Sequence, residues 1–156
     1  MRIVMEADNT KSEPIDEKCI DILNQLLKLE MAGVVRYTHY SFMIFGFNRI
    51  PICKWMRSQA EESLMHAHAI GELITQHDFH PTLEIGSLLE THKHDIRDIL
   101  QEALEHEKES ISAYRQLLNH VEGKSVLLEE FARKMIFEEE LHSGEVQKML
   151  KNPGEL

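Results

Sequence analysis

Apolar residues recur every three or four positions along most of this chain, in four long runs separated by Gly and Pro. The first run, segment A, opens at "KSEPIDE", where Ser12 reads as an N-cap and Pro14 as a first-turn residue. Its stripe of Ile15, Cys19, Ile22, Leu23, Leu26, Leu27, Leu29 and Met31 continues toward Phe45, and "GFNRIP" at 46–51 breaks it. Segment B spans about 52–75 and is followed by the connection "QHDFHPTLEIG". Segment C spans about 88–120 and stops at Gly123, while segment D starts near Ser125 and ends at "KNPGEL". No run alternates with the period of a strand. The pattern predicts an all-α fold, a four-helix bundle of two antiparallel pairs joined by a longer B–C connection. A single domain over 1–156 is expected, with 1–12 as a flexible segment outside the bundle.

Composition narrows the class. A net charge of −10 with no offsetting basic block argues against nucleic acid as a partner. No run approaches the ~18 apolar residues of a membrane span, and the first residues lack the apolar core of a leader. Cys19 and Cys53 stand apart, outside any CxxC spacing, and read as free buried thiols. A cytoplasmic protein without a membrane partner is the expectation.

Polar residues inside the apolar stripes carry the chemistry. In "FEEELHSGEV", Glu139 and His142 share a helix face one turn apart, while Glu138 and Glu140 point elsewhere and read as solvated. In "AEESLMHAHAIGEL", Glu62 and His66 are four apart on a face that continues through Ala69 and Leu73. Glu30 stands among Leu23, Leu26, Leu27, Val34 and Tyr37, and Glu107 among Leu100, Leu104, Ile111 and Tyr114. A charge on a buried stripe costs several kcal/mol unless something pairs it. Singly, each acid reads as the partner of a core polar group or an arginine such as Arg36 or Arg115. Together, one Glu from each of two helices and a Glu/His pair from each of the others make the donor set of a dinuclear carboxylate bundle. Oxygen and imidazole donors in that mixture suit two divalent iron ions, although Zn(II) or Mn(II) accept the same donors.

At these residues the chain resembles the ferritin-like superfamily and, within it, the bacterioferritin family. "LNQLLKLEMAGVVRYTHY" is similar to the family's first helix, "LEHEKESISAYRQLL" to its third and "EEELHSGE" to its fourth, over about residues 19–150. The resemblance implies metal ligation by Glu30, Glu62, His66, Glu107, Glu139 and His142, with Tyr37 and Tyr114 beside the metals. Glu62 and Glu139 would bridge by analogy, although spacing alone leaves the bridges open. It implies a ferroxidase centre that oxidises Fe(II) to Fe(III) with dioxygen or peroxide, for iron storage or detoxification. It also implies a homo-oligomer, a dimer at least. No fifth C-terminal helix is expected, which leaves the family's 24-subunit shell open.

Two departures concern segment B. The family spaces its Glu and His there by three, which would put the Glu at Ser63. The haem-binding Met of the family falls at Ser63 or Leu64, with Met56 and Met65 read as packing, so haem is not expected. Two alternatives to storage remain: a di-metal peroxidase or oxygenase that keeps only its own metals, and a metal-free structural bundle. The histidines around the B–C connection, His77, His80, His92 and His94, read as solvated loop and cap residues. Their alternative is an auxiliary metal site or a path for cations.

Overall fold

In the computed structural model, which describes residues 14–156, the chain forms four helices and no strand among those residues. They are α1 (Glu17–Met43), α2 (Arg49–Gln76), α3 (Ile96–Val121) and α4 (Val126–Leu150). The proposed flexible segment 1–12, with Ser12, lies outside the described residues. The cap of α1 is Asp16, whose carboxylate accepts from the Cys19 N–H at 2.8 Å, and Pro14 stands before the helix. Ser125 caps α4 as the sequence suggests, and Gly123 ends α3 with φ +72°.

Two boundaries differ from the sequence reading. α2 starts at Arg49 and takes Pro51 into its first turn, where a missing N–H costs nothing. Arg49 also reaches back to the α1 terminus and donates to the Ile44 carbonyl at 2.6 Å. α3 starts at Ile96, not near Leu88, because Asp95 caps it and residues 77–95 cross over along α1 without the backbone ladder of a helix. The Thr82 N–H donates to Asn24 Oδ1 at 2.8 Å, and the Gly86 N–H to the Lys28 carbonyl at 2.9 Å. A Cβ on Gly86 would stand 2.9 Å from that carbonyl, so glycine permits the close approach.

α1 pairs with α2, α3 with α4, and α1 also packs on α3. The side-chain contacts Glu30–Tyr114 and Tyr37–Glu107 run α1 and α3 antiparallel. The core has two apolar layers. One holds Leu23, Leu26, Ile70, Ile74, Leu117 and Leu128; the other holds Ile44, Met56, Ile99, Leu100, Ala103 and Val146. Between them in all four helices fall the buried polar residues Glu30, Ser63, His66, His106, Glu107, Ser110, Glu139 and Ser143. The bundle thus carries a polar belt at mid-height. No described helix is long and apolar enough to cross a membrane.

Candidate metal centre

Five of the six ligands expected from the sequence converge in this belt. Glu30 of α1, His66 of α2 and Glu139 of α4 bring their donor atoms together as one group, and Glu107 of α3, Glu139 and His142 form a second. Glu139 belongs to both. Its Oε1 lies 3.3 Å from His66 Nδ1 and its Oε2 lies 3.5 Å from His142 Nδ1, so the carboxylate faces one group with each oxygen. His66 Nδ1 is also 3.3 Å from Glu30 Oε1, yet is aligned for a hydrogen bond to neither carboxylate. Glu107 Oε2 is buried and has no hydrogen-bond partner among the described residues. Buried donors left unpaired are costly, and here they face a shared space. These atoms are candidate metal ligands.

The sixth residue, Glu62, joins neither group. Four residues before His66, it reaches toward the outer nitrogen of His142, with Oε2 2.8 Å from Nε2 but, like Glu107 Oε2, not aligned for a hydrogen bond. The position one turn before His66 is Ser63, buried and without a carboxylate. Glu138 corrects the sequence reading: it is half-buried, not solvated, and its Oε2 lies 3.1 Å from His66 Nε2. The antiparallel register that sets Glu62 against His142 also sets Glu138 against His66. Each histidine therefore turns Nδ1 inward and Nε2 toward a carboxylate of the facing helix, the arrangement that fixes tautomer and ring angle in metal sites. Glu140 does stay outside, paired with Arg115.

Charge in the belt is balanced by protons. Burial raises the carboxyl pKa of Glu30 and, more strongly, of Glu107, where neighbouring Glu139 adds to the effect. Burial would also raise Glu139, but the imidazoles of His142 and His66, 3.5 and 3.3 Å from its two oxygens, outweigh it and hold Glu139 ionised. Desolvation opposes charge on His66, yet the carboxylates of Glu139 and Glu30, each 3.3 Å from Nδ1, lift it to about 10. His142 is raised in the same way by Glu139. The Tyr37 and Tyr114 hydroxyls donate to Glu107 and Glu30, and burial next to those acids keeps both phenols neutral. A cation entering the belt would replace these protons.

His106 escaped the sequence reading. It is buried beside Tyr37, its Nδ1 lies 3.3 Å from Arg36 Nη1, and desolvation with the Arg36 charge lowers its pKa to about 4. Its position directly before Glu107 on a stripe of buried residues was the available signal. The remaining polar residues of the belt, Ser63, Ser110 and Ser143, have no sequence signature.

A bundle of two antiparallel helix pairs, with carboxylates and histidines from all four helices meeting at mid-height, defines the ferritin-like class. The chain belongs to the ferritin-like family: the ferritin-like domain matches residues 20–154. The fold is shared with a ferritin-like, diiron-carboxylate protein of Bacillus anthracis str. Ames, at TM-score 0.82 and 23% identity over 86% of this chain and 96% of that one. It is shared with a dodecameric thioferritin, the bacterioferritin-related protein of Bacteroides fragilis, at 0.81 and 22% over 88% and 87%. It is shared too with Rhodobacter capsulatus bacterioferritin, which has a metal-free dinuclear site and haem iron, at 0.78 and 20% over 88% and 86%. No curated protein sequence matches the chain.

Proposed function

We propose that this protein binds two ferrous ions in the belt and oxidises them to Fe(III), as an iron-handling ferroxidase serving storage or detoxification. The observation that carries the reading is Glu139, aimed with one oxygen at each of two buried donor groups. Glu30 and His66 would hold one ion and Glu107 and His142 the other, with Glu139 common to both groups. Bound there, two Fe(II) supply two electrons to dioxygen or peroxide.

The chain's own residues prepare that step. Glu138 is hydrogen-bonded to the outer nitrogen of His66 and the Glu62 carboxylate faces that of His142 at 2.8 Å, which would leave Nδ1 of each as the metal-facing donor. Tyr37 and Tyr114 orient Glu107 and Glu30. The two apolar layers keep bulk water from the belt and strengthen its electrostatics. Buried Ser63 offers no carboxylate on the α2 side, where the oxidant would have room to approach. Haem is no part of this reading, because the ligand position falls at Ser63 or Leu64; Met56 is fully buried, whereas Met65 is exposed and does not pack as the sequence suggests.

A metal-free structural bundle is disfavoured by the unpaired Glu107 Oε2, which a purely structural core would fill with an apolar group. The reading includes a homo-oligomer in a reducing cytoplasm, where free buried Cys19 and Cys53 are stable. Anaerobic Fe(II) titration of the metal-free protein tests the centre. Two ions are expected in the belt, counted as the difference between the native and Glu139→Gln chains, with rapid oxidation on adding oxidant. Glu139→Gln is expected to lose both binding and oxidation while the bundle stays folded. Unchanged oxidation in that variant would refute the proposal.

A further inference from the structure

A second group of donors lies on the surface, on the last stretch of the crossover before α3. Glu90, His92 and His94 each offer one ligand atom, all within 4.8 Å of one another. His94 Nε2 and His92 Nδ1 lie 3.6 and 3.8 Å from the same carboxylate oxygen, Glu90 Oε1. Donors bound to one tetrahedral ion at about 2.1 Å stand roughly 3.4 Å apart, so small side-chain rotations close the set. Oε1 also accepts the His92 backbone N–H at 2.5 Å, and the other oxygen, Oε2, is met by His39 of α1, with Nε2 at 3.0 Å.

The backbone holds this geometry. His92 takes φ +54° while its N–H donates to Glu90, and the neighbouring Thr91 hydroxyl donates to Glu102 on α3. Non-glycine residues enter that region of φ at a cost, and here the turn directs His92 and His94 toward one carboxylate. Solvated histidines would not need to converge.

We infer that Glu90, His92 and His94 form a mononuclear site for a divalent transition cation, open to water and separate from the belt, with His39 positioning Glu90. Two imidazoles and one carboxylate suit Zn(II) and Fe(II) alike. The inference does not depend on what the belt binds.

Equilibrium dialysis against Zn(II), a redox-inert probe, tests it. The native chain is expected to hold one ion more than His92→Ala/His94→Ala, whose exposed substitutions leave helicity and melting unchanged. His39→Ala is expected to keep the stoichiometry and weaken that ion about 10–100-fold. In Glu139→Gln, where the belt is disabled, X-ray absorption of the remaining zinc is expected to show two imidazoles. Equal zinc content and affinity in native and His92→Ala/His94→Ala chains would overturn the inference, as would a zinc spectrum without imidazole. Anaerobic Fe(II) that displaces the surface zinc marks an iron site, and failure to displace it marks a zinc site; the site stands in either case.

Discussion

At the scale of single residues, Glu62 and Glu138 separate a ligand from a residue that holds one. Both carboxylates face a histidine Nε2 and stand outside the converging donor groups. Glu62→Gln and Glu138→Gln are therefore expected to weaken Fe(II) binding by about 10–100-fold while two ions still bind at saturation. Anaerobic titration reads the difference; loss of one whole ion in Glu62→Gln would make Glu62 a ligand after all. The five converging donors were legible because each acid or histidine sits on an apolar stripe with helical spacing. Glu138 was not, since spacing along one helix is silent about a long side chain that reaches across to another. The role of Glu62 was obscured for the same reason.

Protonation in the belt sets a pH dependence at the same scale. Metal-free, folded His66 titrates at about 10 against its ordinary 6.5. Its contribution to stability is full below 6.5 and is lost as pH climbs through 10. Raised Glu30, Glu107 and His142 act in the same direction, because the folded chain keeps protons that the unfolded chain releases. His106 has the opposite sign, but its window between about 4 and 6.5 ends where that of His66 begins. The melting temperature of the chelated protein is therefore expected to fall between pH 7 and 10, and His66→Gln to flatten the fall. A melting temperature that rises over this range would refute the charge balance described for the belt.

At the scale of helices, the approach of α1 to α2 depends on Gly33. A Cβ there would stand 2.7 Å from Ser63 Oγ, 3.0 Å from His106 Nε2 and 3.3 Å from Ser63 Cβ. Alanine gains roughly 1 kcal/mol over glycine inside a helix, while overpacking a buried contact costs about 1–3 kcal/mol. Both neighbours are buried and cannot swing into solvent. Gly33→Ala is thus expected to lower the urea midpoint, and Ser63→Ala in the same chain to restore part of the loss. A more stable Gly33→Ala would mean that the helices part without cost. Four helices were legible from period and breakers, but the start of α3 was not. Leu88 and Leu89 continue the apolar period without being buried, and only the hydrogen bonds of the crossover to α1 decide against a helix there.

At the scale of the molecule, the same crossover points to assembly. Leu83, Ile85, Leu88 and Leu89 are all exposed, and Leu83 and Ile85 border an open groove shared with Leu27, Met31 and Ala67. An exposed apolar surface that continues into a groove marks an interaction site more than a solvated face. On a chain with a net charge of −10, copies repel at a distance, so only a sizeable apolar contact holds them together. Sedimentation velocity is expected to give at least twice the 18.2 kDa of one chain, and Leu83→Glu/Leu88→Glu to shift it toward the monomer. Assembly then decides what oxidation is for. If copies enclose a space, Fe(III) leaving the belt accumulates there, and aerobic loading retains many irons per chain. If they do not, iron stays at the number the belt and the crossover hold, and the protein is an oxidase that passes its product on. Iron per chain after repeated aerobic additions, measured on the native and the dissociated protein, tells these apart: storage requires that the count collapse with the oligomer.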